Sequence, residues 1–205
     1  MLAKFPFIVP SLPRLRSRPP AGKDWLHEVA FDGCRVQLHK VGAEATIYSR
    51  HGLELTCGRA LIAEALSRVP ASSVVLDGEL VADSEDQARL VSACEATGDL
   101  IVVHCFDLLA VNGKDLRSLP LLARKEKLAD LLGQANTDVL LYSDLFTDPK
   151  RLLAACEQDG LEGIISKHAD SPYRSGRGDW IKVKCRAPRQ AKVRAALRTG
   201  GLASE

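Results

Sequence analysis

Lysines, carboxylates and glycines recur in four short stretches set among apolar and β-branched residues. They are Glu28-Val29-Ala30-Phe31-Asp32-Gly33-Cys34-Arg35, Leu76-Asp77-Gly78-Glu79-Leu80, Glu162-Gly163-Ile164-Ile165-Ser166-Lys167 and Trp180-Ile181-Lys182-Val183-Lys184. Strand side chains alternate faces, so Glu28 and Ala30 share one, as do Asp77 and Glu79, and Lys182 and Lys184. Two lysines on one face of an apolar strand either stand in water at a sheet edge or meet an anion, because an unpaired buried charge is costly. The chemistry open to such a set is anion binding.

The elements that would carry these residues can be read from periodicity and turn residues. Residues 1–23 hold five of the ten prolines together with Arg14, Arg16 and Arg18, and should run extended over the surface rather than form helix or sheet. Trp25–Ala30, Cys34–Lys40 and Ala45–Ser49, separated by Asp32-Gly33 and Val41-Gly42, read as an antiparallel meander. Thr56 can cap a helix reaching about Arg68, with Leu61, Ile62, Ala65, Leu66 and Val69 on one face. Ser73–Leu76 and Glu79–Ala82 read as strands joined or bent at Asp77-Gly78, where Asp77 is either a turn cap or a working group. Ser84 can cap a short helix over Glu85–Ala96. Leu100–Leu109 is an apolar strand before an Asn112-Gly113 turn. Pro120 suits the start of a helix that Gly133 ends, and Asp148-Pro149 starts one that Gly160 ends. Asp138–Tyr142, Gly163–Lys167 and Trp180–Lys184 complete the strands, and a basic helix follows Pro188. Strands and helices without strict βαβ alternation give an α+β domain: antiparallel sheets flanked by helices. The organisation is an N-terminal segment 1–23, a domain 24–186 and a basic tail 187–205.

Bulk properties narrow the class without fixing it. The chain has 205 residues, 46% hydrophobic and 26% charged, enough for one sizeable core. A net charge of +2 means that any nucleic-acid surface must be local, at Arg14–Arg18 or in the Arg/Lys-rich stretch from Arg174 to Arg198. The six cysteines, Cys34, Cys57, Cys94, Cys105, Cys156 and Cys185, form no CxxC pair, which argues against zinc. Lys4, Pro6 and Pro10 interrupt the apolar start, so no secretory signal is read, and no apolar stretch is long enough for a membrane span. Scattered thiols point to a reducing cytoplasm.

Taken in order and at their spacing, the four stretches resemble the motifs of the covalent nucleotidyltransferases: DNA ligases, RNA ligases and mRNA capping enzymes. Ala30-Phe31-Asp32-Gly33-Cys34-Arg35 is similar to the family's Lys-x-Asp-Gly-x-Arg. Tyr48-Ser49-Arg50-His51-Gly52 resembles its Ser-Arg-x-Gly element, and Val103-His104-Cys105-Phe106-Asp107-Leu108-Leu109 its Phe-Asp-Leu-Leu element. The resemblance runs from about Trp25 to Lys184. In wording it is most like bacterial ATP-dependent DNA ligases of the repair type, whose adenylation domain is ATP-grasp-like. In that family a lysine amine attacks the α-phosphate of ATP, AMP passes to the 5′-phosphate at a nick, and the 3′-hydroxyl displaces AMP. The resemblance implies Lys182 and Lys184 at the α-phosphate, Glu162 and Glu79 as Mg²⁺ ligands, and Arg35 with Glu79 at the ribose. It also implies Phe106 stacked on adenine, Glu28 near the adenine edge and Arg50 on phosphate. Lys167 falls on the strand face opposite Glu162 and is the least expected ligand. Nicked duplex DNA is the implied partner of a monomer in the bacterial cytoplasm, with a separate OB-fold or repair protein as a further one.

Two departures from the family pattern remain. Position 30 is alanine, which has no nucleophile, so the lysyl-AMP route is closed there; neither Lys23 nor Lys40 is in register to replace it. Natural degeneration and an engineered trap of the noncovalent complex both fit. Twenty-one residues follow Lys184, enough for a helix and not for an OB-fold barrel, whether the chain is truncated or minimal. The expected functions are a DNA ligase adenylation domain inactive in self-adenylation, a noncatalytic nucleotide- or nick-binding module, or an RNA ligase-like protein.

Overall fold

The computed structural model of the chain describes residues 5–55, 59–82 and 101–186. Two sheets form the domain. The four-stranded sheet has the order β1-β10-β9-β2, with β1 Ser11–Leu15, β2 Trp25–Ala30, β9 Gly163–His168 and β10 Gly176–Lys184. The larger sheet runs β4-β3-β5-β6-β7, from β3 Cys34–Val41, β4 Glu44–Ser49, β5 Ser73–Ala82, β6 Ile101–Val111 and β7 Lys114–Asp115. Strand β8, Leu140–Tyr142, adds to β6 in parallel. The fold is α+β with mainly antiparallel pairing, as the sequence implies.

Each sheet buries its outer face under helices. Helices α1, Arg59–Ser67, and α2, Leu121–Ala135, cover the larger sheet around Leu38, Ile62, Leu66, Leu76, Leu108 and Leu128. Helix α3, Pro149–Asp159, covers the smaller sheet through Leu152 and Cys156 against Val29, Ile164 and Val183. Asp148 caps α3 by accepting from the Lys150 and Arg151 amides, and Gly160 ends it at φ 72°. Between the sheets lies a smaller aromatic cluster of Ile8, Leu109, Tyr173 and Trp180.

Several expectations are corrected. Residues 1–23 are not merely surface chain: β1 pairs in parallel with β10, and Ile8 and Ser11 are buried. Pro13 within it is tolerated because β1 is an edge strand needing ladder bonds on one side only. No meander links β2 to β3, because β2 joins β9 in the other sheet while β3 pairs with β4 and β5. Strand β5 runs unbroken through Asp77-Gly78, and the irregularity appears as register shifts against β6. Helix α2 passes through Gly133 and ends at Asn136 in the left-handed region, φ 45°. Leu61 faces out at 47% exposure while Ile62, Ala65, Leu66 and Val69 are buried. The expected Thr56 cap, the helix over 85–96 and the helix after Pro188 lie outside the described residues.

Candidate active site

A cavity of about 670 Å³ opens between the two sheets. Its wall draws Glu28 and Ala30 from β2, Arg35 from β3, Glu79 from β5, Phe106 from β6, Ile165 and Lys167 from β9, and Trp180 and Lys182 from β10; Glu162 and Arg50 complete it. Every residue that the resemblance assigns to the nucleotide or the metal reaches this wall except Lys184. That side chain is 55% exposed and touches the site only through Glu162, whose Oε1 is 3.4 Å from its Nζ. Lys182 donates to Oε2 of the same carboxylate at 2.6 Å.

Cross-strand register explains the convergence. Glu28 pairs with Ile165, which pairs with Lys182, and Ala30 pairs with Gly163, which pairs with Lys184. Directly opposed residues share a face, so these two rungs aim one way. Gly163 has φ 151°, and a Cβ there would lie 2.1 Å from the Val183 carbonyl oxygen. Glu162 stands just before this turn, so its side chain does not obey strand parity. Lys167 and Glu162 therefore reach the same cavity, against the expectation from alternation.

The cavity floor is a network of charges and rings. Arg35 makes a bidentate ion pair with Asp77 at 2.7 Å to each oxygen, and its guanidinium lies over Phe106 at 4.3 Å. Burial alone would lower the Arg35 pKa, but Asp77 raises it above the ordinary value. Asp77 is thus the partner of Arg35 rather than a turn cap. It also accepts from the Tyr173 hydroxyl, which in turn accepts from the Ser11 amide, tying β1 to the site. Lys167 donates to Glu28 at 2.9 Å and lies 4.6 Å from the Phe106 ring and 4.2 Å from Trp180. A base stacking on Phe106 would share that ring with one of two cations.

Glu79 and Glu162 are the carboxylates on the wall that could hold a divalent cation jointly with phosphate oxygens. Burial lifts Glu79 to about 7, opposed by Arg35 and Lys182 and reinforced by repulsion from Asp77 and Glu162. A cation between the two would relieve that strain, so the donor set fits Mg²⁺, which takes few protein carboxylates. Among the described residues no cluster of three or more His, Cys, Asp or Glu gathers as a self-contained metal cage.

Sequence reasoning missed the layer behind the wall. Arg124 and Lys125 of α2 are 0% and 1% exposed. Arg124 grips Asp107, the neighbour of Phe106, at 2.7 and 2.9 Å. The signal existed: residues 121, 124, 125, 128 and 132 form one helical stripe, which puts both cations on the apolar face.

The comparisons with known proteins agree with this geometry. The family model described as ATP dependent DNA ligase domain matches residues 16–184. The chain is 36% identical over 186 residues to the multifunctional non-homologous end joining protein LigD of Pseudomonas aeruginosa, covering 87% of this chain and 22% of that protein. It is 33% identical over 172 residues to a probable DNA ligase of Beutenbergia cavernae, covering 78% of the chain and 33% of the relative. The chain thus spans a third or less of the length of these relatives. Among solved structures, mycobacterial DNA ligase D complexed with ATP and MES superposes with a TM-score of 0.68 at 26% identity, over 86% of this chain and 60% of that one. The ligase domain of M. tuberculosis LigD gives 0.67 at 28%, over 86% and 59%. Fold, cavity and motif order converge on one conclusion: this chain belongs to the ATP-dependent DNA ligase domain family, as a nucleotidyltransferase (adenylation) domain.

Proposed function

We propose that the cavity binds ATP or AMP noncovalently and is the site at which a lysine-bearing domain of this type would take AMP from ATP, release pyrophosphate and pass the AMP to the 5′-phosphate of a DNA nick, a route closed at self-adenylation here because position 30 is alanine. The observation that carries this reading is the single cavity wall shared by Glu28, Arg35, Glu79, Phe106, Glu162 and Lys182. Glu28 and Phe106 take the adenine, and Arg35 with Glu79 takes the ribose. Lys182, with Lys184 behind Glu162, faces the α-phosphate, where positive charge lowers the barrier to nucleophilic attack. Glu79 and Glu162 would hold Mg²⁺, which supplies further charge neutralisation when bound. Arg50, exposed at the cavity rim, meets a phosphate of ATP or of the nick.

Ala30 favours a second reading, in which the domain is a noncatalytic nucleotide- or nick-binding module. An RNA ligase-like substrate is a variant of the first reading. A monomer acting in DNA repair in the bacterial cytoplasm, joined by a separate OB-fold or repair protein, extends this reading; of these, only end joining is named among the relatives. Titration calorimetry with ATP and Mg²⁺ tests the pocket: saturable binding is expected, and its absence in folded protein rejects the assignment. A nick already carrying 5′-AMP separates the readings, because sealing it requires no lysine at position 30. Sealing supports the enzyme, and binding without sealing supports the module.

A further inference from the structure

Helix α2 sends two adjacent cations into the interior, and buried charges persist only where partners are supplied. Arg124 has a complete set in the two oxygens of Asp107 and the carbonyls of Leu119 and Ser171. Lys125 has no carboxylate to itself. Its Nζ donates to the Ser143 carbonyl, lies 4.0 Å from the centre of the Tyr142 ring and stands 3.4 Å from Glu28 Oε1.

The other oxygen of Glu28 is fully engaged. Oε2 accepts from Lys167 Nζ at 2.9 Å and from the Ser143 hydroxyl at 3.0 Å. Oε1 is buried and has no hydrogen-bond partner among the described residues. At 3.4 Å the Lys125 contact is electrostatic rather than a well-formed hydrogen bond. A buried acceptor left open is costly, and Glu28 borders the cavity. A carboxylate held between two ammonium groups has acceptors only.

We infer that Lys125 is a positioning residue for base recognition: with Ser143 it pins Glu28 at the cavity wall, so that the site reads an exocyclic amine such as the 6-amino group of adenine. Lys125 is not among the residues that line the cavity and acts through Glu28. This rests on the nucleotide reading above. Without Lys125, Glu28 keeps Lys167 as its counter-ion, and the charges of the cluster balance one to one. The carboxylate then gains the space that Lys125 leaves and is no longer fixed at the base edge. The variant is therefore expected to fold and to lose discrimination rather than phosphate affinity.

The test measures binding of ATP and of purine riboside triphosphate, which lacks only the 6-amino group, to the full chain and to Lys125→Met. The unmodified chain should prefer ATP by about tenfold or more, the scale of one hydrogen bond to a charged acceptor. Lys125→Met should bring the two ligands to within about twofold, while Lys127→Met, exposed on the same helix, keeps the preference. Lys125→Gln retains a donor for the Ser143 carbonyl and replaces the methionine variant if circular dichroism shows that one unfolded. An unchanged preference in the folded Lys125 variant overturns the inference while leaving the nucleotide pocket standing. Failure of the unmodified chain to bind ATP at all overturns both.

Discussion

Ala30 is 5% exposed on the cavity wall, and its neighbour across the sheet, Gly163, contributes no side chain. A lysine at 30 would share the strand face of Glu28 and extend toward the cavity. Lys182 lies on the same face and disfavours a second charged amine, which raises the fraction of neutral nucleophile. Ala30→Lys should therefore form a covalent adenylate with labelled ATP and Mg²⁺, visible as a labelled band in denaturing electrophoresis. The parent chain should give none, and a variant that binds ATP without labelling would remove position 30 from the chemistry. Lys182→Ala should weaken ATP binding by about 2 kcal/mol, the value of a charge-assisted contact. Lys40 is no suitable control, because it is 8% exposed and donates to the Ser67 and Val69 carbonyls, so its loss would disturb the fold. Lys114, exposed on β7, is the sound control, and equal effects at 182 and 114 would reject the assigned strand face. Glu79 offers a pH test. Its carboxyl is raised to about 7, chiefly by burial, so the fold favours the protonated form. That stability is complete below the ordinary carboxylate range and is lost as pH rises through about 7. Glu79→Gln should thus stabilise the chain at pH 8 by on the order of 2 kcal/mol and leave it unchanged at pH 4, read by urea melts at both. A parallel pH dependence in parent and variant would contradict this.

At the scale of elements, β9 and β10 pair closely where a glycine lets their backbones approach. Gly163 combines φ 151° with a Cβ direction that would strike the Val183 carbonyl oxygen at 2.1 Å. Gly163→Ala should cost roughly 3 kcal/mol or more in thermal or urea unfolding, because backbone cannot move aside as a flexible side chain can. It should also displace Glu162 and so weaken Mg²⁺-dependent ATP binding; a neutral substitution would mean that the β9–β10 pairing is looser than the register implies. Most elements were legible in the sequence because their signals are local: alternating or clustered apolar residues in β2 and β3, the apolar run of β6, Asp148-Pro149 and Gly160 around α3, and Asn112-Gly113 at a turn. What escaped depends on distant partners. Proline and arginine hide β1 as a strand, and only its pairing with β10 and the Ser11–Tyr173 bond reveal it. Local alternation cannot say that β2 leaves β3 for β9. Most motif residues of the site were readable because they sit on strands with fixed parity; Glu162 and Arg50 lie just outside strands and were readable only through the motifs. The supporting Arg124 and Lys125 were missed although they fall on the apolar stripe of α2, because a cation is assigned to solvent until its carboxylate is located.

The whole molecule carries a net charge of only +2, so long-range attraction to a polyanion is weak and any DNA affinity must come from local geometry. The basic residues are unevenly placed. Arg14, Arg16 and Arg18 are exposed on β1 and just beyond it, and β1 lies against β10, which carries exposed Arg177 and Lys184 and the half-buried Lys182. Leu12, Pro13 and Arg177 border the cavity, and Arg50 stands exposed at its rim. One edge of the smaller sheet is thus a basic strip running to the cavity, the arrangement a phosphate backbone would follow to bring a nick to the nucleotide. Each phosphate contact releases condensed counterions, so affinity should fall steeply as salt rises. Anisotropy titrations with a labelled nicked duplex across a salt series should give a clearly negative log–log slope. Replacing Arg14, Arg16 and Arg18 together by alanine should reduce its magnitude by about 2 to 3, close to one unit per lost contact. The same triple change should leave ATP binding intact, because none of the three borders the cavity. Salt-independent binding, an unchanged slope in the triple variant, or a preference for RNA ends over the nicked DNA would each show that this edge is not the DNA path.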